Sequence, residues 1–292
     1  MAIARGFRVL HATDGSSSAH AAMATSAAFP WPGPSAARAI VVRPGLSLPP
    51  NADRWARSET FTRRTAVAAS RTLRTRWPEA DAVVRDGEAA DRILEEARRY
   101  GAHAVVMGWR GHGHFRRLLM GSVSRAVLRC AETPVLIVRR GVRPVTRLVV
   151  GLDGSASSNR AIRFLACAMV PKGGSITLVT VLRREPSPSH SLFPDLTAEL
   201  RAEVRARGGK NQAAAARRQK RAADRLRNAG WRVRGQVRAG APLYELLRSV
   251  DEARADALVV GAMSHRATLK GLLGSTIEGA VNRSAVPVLV VP

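Results

Sequence analysis

Two loops of the chain combine glycines with groups that bind sugars or anions. One follows an apolar run and reads Thr13-Asp14-Gly15-Ser16, so a carboxylate ends a predicted strand and a hydroxyl precedes a predicted helix. Asp14 can accept hydrogen bonds from a ribose or a base, or it can cap that helix. The sequence leaves both roles open.

The second loop runs from Gly108 to Ser122 and contains Gly111 and Gly121. Glycines allow backbone N–H groups to approach an anion closely, and the helix predicted after the loop offers unpaired N–H groups and a positive dipole end. The loop therefore favours phosphate, with a flexible turn as the alternative. Its basic side chains, which add positive potential or stay solvated, are Arg110, His112, His114, Arg116 and Arg117.

Neither loop shows the residue pattern of a catalytic or metal site. Paired carboxylates, a nucleophile beside a base and a metal-ligand cluster are all missing from both loops. His112 and His114 form an H-x-H pair without a nearby Cys, Asp or Glu, and Ser122 suits phosphate binding or helix capping better than nucleophilic attack. We therefore predict ligand binding, with no catalytic residue and no metal ligand.

The chain contains one unit twice. The segment around Asp14 recurs 139 residues later around Asp153, and the strand ending at Gly108 recurs 153 residues later at Gly261. The second copy therefore carries an insertion, which we place within 183–225 as a loop and a lengthened Arg- and Ala-rich helix. We predict two domains, 1–141 and 142–292, which suits a chain of 292 residues.

Short apolar runs alternate with segments of helical period. In the first copy we predict strands at 8–12, 39–42, 82–84, 104–107 and 135–138, and helices at 18–28, 60–76, 89–100 and 122–130. Continuous apolar strands alternating with helices indicate an α/β fold with a parallel, doubly wound sheet. Ligands of such sheets bind beyond the carboxyl ends of the strands, where both loops lie.

The glycine loop carries a family pattern. Gly108, Gly111, Gly121 and Ser122 reproduce the G-2x-G-9x-G-(S/T) motif of nucleotide-binding universal stress proteins, and Asp14 stands where that family places its strand-one aspartate. With the internal repeat, the chain resembles a tandem universal stress protein over nearly its whole length. The resemblance implies two domains, each a five-stranded parallel sheet of order 3-2-1-4-5 flanked by helices.

The same resemblance implies an adenine nucleotide as ligand: ATP, with or without Mg²⁺, with ADP and AMP not excluded. Asp14 and Val42 would contact the adenosine, and the three glycines and Ser122 would surround the ribose and phosphates. The other residues implied to line this pocket are Thr13, Met107, Val123 and Ser124.

The second copy departs from the family motif. Its residues at matching places are Asp153, Val181, Gly261, Gly274, Ser275 and Thr276. Ser264 stands where the second glycine should be, and its side chain can block the close backbone approach or strain the loop. Binding by the second domain is left open.

The net charge and the motifs that the sequence lacks limit the other classes of function. Lys and Arg number 47 against 22 Asp and Glu, a net charge of +25 that is spread along the chain and attracts anions. No helix-turn-helix, zinc-finger or RNA-recognition signature is visible, so we expect at most non-specific, salt-sensitive nucleic-acid binding. The S-G-G-x-D-S, H-I-G-H and K-M-S-K-S motifs of related ATP-using enzymes are also missing. We predict a stress-response or regulatory protein without an efficient reaction, with slow ATP hydrolysis as the alternative.

Three further expectations concern compartment and assembly. Cys130 and Cys167 belong to no C-x-x-C pair, so we expect buried, reduced thiols. No run reaches the roughly 18 apolar residues of a membrane span, so we expect a cytoplasmic protein with no membrane partner. The last strand of each copy should lie at a sheet edge, so we expect the two copies to pair, with a homodimer as a further option.

Overall fold

The structure, a computed structural model, describes residues 6–44, 52–111, 120–141, 144–182, 198–262 and 273–292. Within residues 52–56 and 198–210 it describes the backbone only. The predicted basic side chains at 112–117, Ser264 and the loop part of the insertion lie outside the described residues.

The first repeat alternates strands and helices, as predicted. Its elements are β1 (Phe7–Ala12), α1 (Ser17–Ala28), β2 (Ser35–Arg43), α2 (Ala52–Arg74), β3 (Asp81–Asp86), α3 (Ala89–Tyr100), β4 (Ala104–Gly108), α4 (Ser122–Cys130) and β5 (Val135–Val138).

The second repeat has the same succession. Its elements are β6 (Arg147–Gly151), α5 (Ala156–Ala166), β7 (Ser175–Leu182), α6 (Ala198–Asn228), β8 (Arg232–Ala239), α7 (Pro242–Glu252), β9 (Ala257–Gly261), α8 (Ser275–Arg283) and β10 (Val288–Val291). The lengthened helix of the insertion is α6, which has 31 residues against 23 in α2.

The strands of the described residues join one ten-stranded sheet of order β3-β2-β1-β4-β5-β10-β9-β6-β7-β8. Within each repeat the strands are parallel and follow the predicted order 3-2-1-4-5. The repeats meet where β5 and β10 pair antiparallel, with Leu136 opposite Leu289. The predicted pairing of the two copies within the chain is confirmed, and it covers the inner edge strand of each.

The sheet separates two apolar cores that extend through both repeats. Neighbouring residues of β1 face opposite cores: Val9 packs in one with Val150, and Leu10 packs in the other with Val149. All four side chains are fully buried. Because each core contains residues of both repeats, the hydrophobic burial that stabilises one repeat also stabilises the other.

The expectation of buried thiols is wrong. Cys130 and Cys167 are both exposed, since Cys130 is the last residue of α4 and Cys167 caps the end of α5, where both helices reach the surface. None of the helices in the described part of the chain combines the length and the hydropathy that a membrane span needs.

Candidate functional site

The two predicted loops meet at one edge of the sheet. Strands β1 and β4 are neighbours, and Ala12 lies opposite Met107 near their carboxyl ends. A cavity of about 780 Å³ opens there, a size common for small-molecule sites. The structure brings together at its wall every residue predicted for the first repeat: Thr13, Asp14, Val42, Met107, Gly108, Gly111, Gly121, Ser122, Val123 and Ser124.

The loop after β1 shows which residue caps α1. The Ser16 side chain accepts a hydrogen bond from the Ala19 N–H at 3.2 Å, so Ser16 is the cap. Asp14 Oδ1 instead accepts from the Ser16 N–H at 3.0 Å and closes a tight turn through Gly15, whose φ is +82°. The Asp14 carboxylate is thereby held at the cavity wall.

Backbone contacts require glycine at position 108, and Gly111 lies close against the Asp14 side chain. A Cβ at Gly108 would lie 2.8 Å from the carbonyl carbon of Ser18 and 2.9 Å from the backbone nitrogen of Ala19, because β4 ends against the first turn of α1. A Cβ at Gly111 would lie 2.1 Å from Asp14 Oδ2. These glycines bring the two loops together, whether or not a ligand is bound.

Gly121 differs from them. It precedes α4 with φ −60°, which any residue adopts, and among the described residues beyond its chain neighbours a Cβ would come no nearer than 3.5 Å to another atom. Within the described part of the chain, neither backbone conformation nor packing requires glycine there. α4 begins at the cavity wall without a side-chain cap, so a ligand has close access to its first turn.

The cavity has a basic side that the motif did not predict in full. Arg125 and Arg129 of α4 line it together with Arg110. The spacing of Ser122, Arg125 and Arg129 places all three on one helical face, a signal that could have identified the two α4 arginines from sequence. Clustered guanidinium groups beside a helix N-terminus suit a phosphorylated ligand.

Other parts of the cavity wall are apolar. Ile40 and Val42 come from β2, and Ala89 and Ile93 come from α3. Strand β1 lies between β2 and β4, so the β2 side chains lie across β1 from the loop after β4 that carries Arg110. The cavity therefore offers apolar surface for a ring as well as cations for an anion.

The second repeat contains the same aspartate-closed turn but only part of the site. Asp153 Oδ1 accepts from the Ser155 N–H at 2.9 Å, and Gly154 has φ +82°. A Cβ at Gly261 would lie 2.5 Å from the Ser158 backbone nitrogen, so packing alone requires that glycine. The other predicted residues of this repeat lie at the end of β7 and the start of α8: Val181, Gly274, Ser275 and Thr276.

Substitutions reshape the corresponding region of the second repeat. Leu243 of α7 packs directly on Gly279 of α8, where the first repeat has two alanines 153 positions earlier. Glu278 stands where the first repeat has the cavity-lining Arg125. The second repeat therefore places leucine bulk and an acidic group where the first has space and a cation.

Comparison with known proteins identifies the family. The fold is that of a tandem, doubly wound α/β protein with a cavity at the strand ends. The universal stress protein family matches residues 7–139 and 144–292, and the chain belongs to that family.

Individual relatives match parts of the chain. A universal stress protein of Synechocystis is 23% identical over 186 residues, which cover 63% of this chain and 56% of the relative. The universal stress protein YxiE of Bacillus subtilis is 38% identical over 61 residues, which cover 21% of this chain and 41% of the relative. The chain thus spans about half the length of the curated relatives it matches.

A solved structure matches nearly the whole chain. The crystal structure of a universal stress protein from Archaeoglobus fulgidus covers 97% of both chains with a TM-score of 0.69 and 22% identity. At that identity the likeness establishes the fold of the two repeats.

Proposed function

We propose that the chain is an adenine-nucleotide-binding stress-response or regulatory protein whose N-terminal repeat holds ATP in the cavity. The observation that carries the proposal is the composition of that one cavity. Apolar groups from β2 and α3 suit the adenine ring, while three arginines and the uncapped start of α4 suit the phosphates.

Asp14 gives the proposed site a means of recognising the sugar. It is the one acidic group among the described residues of the cavity wall, and the Ser16 N–H fixes its orientation. A carboxylate is an acceptor for ribose hydroxyls. ATP with or without Mg²⁺, ADP and AMP all have this sugar and base, so the proposal covers the adenine nucleotides as a class.

We also propose that binding occurs without efficient turnover. The described lining residues include no second carboxylate and no His, Cys or Lys, the side chains that most often share general acid–base work with a carboxylate. A cytoplasmic location, where ATP is available, and a homodimer of the chain belong to the same proposal.

Calorimetric titration of Mg-ATP into the full chain tests the site, with two matched variants. Gly121→Trp fills the open position before α4, and Gly274→Trp makes the same change at the corresponding position before α8, where a Cβ would also have ordinary contacts. We expect binding by the wild-type chain, loss with Gly121→Trp and retention with Gly274→Trp. No binding by the wild-type chain, or equal loss in both variants, would overturn the proposed N-terminal site.

A ligand series separates base from phosphate recognition. AMP, ADP, ATP, GTP and inorganic triphosphate are titrated under one condition, and we expect GTP and triphosphate to bind more weakly than ATP. Chromatography of the incubated ATP tests turnover. Steady formation of ADP or AMP that Gly121→Trp abolishes would contradict binding without an efficient reaction.

A further inference from the structure

Helix α8 of the second repeat contacts the first repeat at the end of the loop that leads into α4. The Met120 N–H donates a hydrogen bond to Asn282 Oδ1 at 2.8 Å. Met120 lines the cavity, is buried and directly precedes Gly121. The contact therefore fixes the backbone at the point where the loop enters α4.

A second set of contacts anchors Asn282 against the same loop. Arg139 donates from Nη1 to the Asn282 carbonyl oxygen at 2.9 Å, and its guanidinium lies 4.7 Å from the centre of the Trp109 ring. The Trp109 carbonyl oxygen accepts the Gly121 N–H at 3.0 Å. Two successive amides before α4, of Met120 and Gly121, are thus fixed by one network at the junction of the repeats.

Helix α8 also reaches the cavity wall one turn earlier. Glu278 lies four residues before Asn282, so both project from the same face of α8. Its Oε1 lies 3.3 Å from Nη2 of Arg125, which lines the cavity. Glu278 and Asn282 therefore both contact residues on the side of the cavity where the phosphates would lie.

We infer that Asn282 is a positioning residue of the N-terminal nucleotide site, so that the second repeat forms part of that site. The inference rests on the proposed function. Asn282 holds the Met120 amide in place and sets the path of the backbone into Gly121 and the first turn of α4. A backbone that is already held at Met120 and Gly121 does not have to be ordered there when ligand binds.

The corresponding residues of the two repeats cannot form the reciprocal hydrogen bond. The residue of the first repeat that corresponds to Asn282 is Arg129, 153 positions earlier, and the residue that corresponds to Met120 is Leu273. A guanidinium has donors and no acceptor, so Arg129 cannot accept a hydrogen bond from the Leu273 N–H. The second repeat supports the loop of the first, and the first does not return that bond.

Three full-length variants test the inference. Asn282→Ala removes the acceptor, and Asn282→Asp keeps one. Asn159→Ala is the matched control, because the Asn159 amide is exposed and bonds within the second repeat, to the Gly154 carbonyl oxygen. The Arg139 contact to the main chain of residue 282 is available in every variant, so the junction should persist.

Each variant is measured twice. Hydrogen exchange of the Met120 amide without nucleotide should accelerate roughly three- to tenfold in Asn282→Ala, the effect of losing one hydrogen bond, and stay near the wild-type rate in Asn282→Asp and Asn159→Ala. Calorimetry should show Kd for Mg-ATP raised by a similar roughly three- to tenfold factor in Asn282→Ala and unchanged in Asn159→Ala.

The outcomes separate this inference from the proposed function. Failure of the wild-type chain to bind any adenine nucleotide would overturn both. Wild-type binding with the same Kd in Asn282→Ala would overturn the inference alone. Weaker binding in Asn282→Ala without faster exchange at Met120, or equal weakening in Asn159→Ala, would also overturn it, because the effect would then not pass through the Met120 amide.

Discussion

At the scale of single residues, the motif glycines serve different purposes. A Cβ at Gly108 or Gly261 would approach the backbone of the neighbouring helix within 2.9 Å and 2.5 Å respectively, so the fold itself requires glycine at both. Among the described residues a Cβ at Gly121 or Gly274 would make only ordinary contacts, the shortest at 3.5 Å. Packing against those residues does not require glycine at these two positions, so close ligand approach is a reason for it there.

We predict that alanine at Gly108 lowers the free energy of unfolding, whereas alanine at Gly121 leaves it almost unchanged. Gly108→Ala should lower it by about 1–3 kcal/mol, since the new methyl group must displace the first turn of α1. Gly121→Ala should change it by less than about 0.5 kcal/mol, because its backbone and surroundings accept a methyl group. Urea unfolding measures both, and a Gly108→Ala chain as stable as the wild type would contradict the tight contact of β4 with α1.

A second residue-scale prediction concerns His11, which is fully buried in β1 with Nε2 2.8 Å from Ser26 Oγ. Burial lowers its pKa from 6.5 to about 3, against the opposing effect of hydrogen bonds with the Arg38 and Val9 backbone. Between these values the unfolded chain binds a proton that the folded chain does not. His11 therefore costs the folded chain no stability above about pH 6.5. Below that pH it lowers the free energy of unfolding by up to about 1.4 kcal/mol per pH unit, down to about pH 3.

Urea unfolding of the wild-type chain and a His11→Gln variant at about pH 7.5, 6 and 5 measures that contribution. The variant should show a smaller loss of stability with falling pH, whatever its stability at pH 7.5. Equal slopes for the two chains would show that His11 does not carry the predicted proton linkage.

At the scale of elements, the spacing of apolar residues along the sequence predicted the type of every element proposed in the first repeat. It also predicted the bounds of α3, α4 and β5. It predicted the start of β2 too late, because Arg38 of that strand pairs with Asp81 of β3 and so interrupts the apolar run. It placed the start of α2 at residue 60, whereas the helix begins at Ala52.

The site was predictable to a similar extent. The family motif identified the loops on both sides of the cavity, because each loop is local in sequence. It could not identify Asn282, since the bond to Met120 joins residues 162 positions apart and depends on how two repeats pack. The exposed Cys130 was missed for a related reason, because the helix end determines its surroundings.

The outer face of α6 provides an element-scale prediction. Arg217, Arg221 and Arg225 recur every four residues and are exposed, while Ala222 and Leu226 on the inner face are buried. We expect weak DNA binding at about 50 mM salt that disappears by about 200 mM, and weaker binding still after all three arginines are changed to Gln. Gel shifts across that range, with unfolding curves as the folding control, measure the effect. Tight binding that persists at the higher salt would favour a dedicated nucleic-acid protein.

At the scale of the whole molecule, the two repeats form one folded unit. Besides the β5–β10 pair, the Trp31 ring of the first repeat contacts the Phe164 ring of the second edge-on at 6.4 Å, and the Trp31 carbonyl oxygen accepts the Met169 N–H at 3.2 Å. The outer edges of the sheet are β3 and β8, and the inner edges are covered by one another. Separation of the repeats would therefore expose an apolar edge strand and part of both cores.

We predict that residues 1–141 alone form a homodimer in which β5 of one copy pairs with β5 of the other, in place of the β5–β10 pair of the full chain. In that dimer the position of Asn282 is taken by the partner's Arg129, which has no acceptor for the Met120 N–H. The dimer should therefore bind Mg-ATP roughly three- to tenfold more weakly than the full chain, and its Met120 amide should exchange faster. Light scattering gives the mass, and calorimetry and hydrogen exchange give the other two quantities.

Arg129→Asn in the short chain restores an acceptor and should slow Met120 exchange again. A monomeric short chain would contradict the edge-strand argument, whereas a dimer with full-chain affinity and exchange would show that the first repeat builds its site without the second.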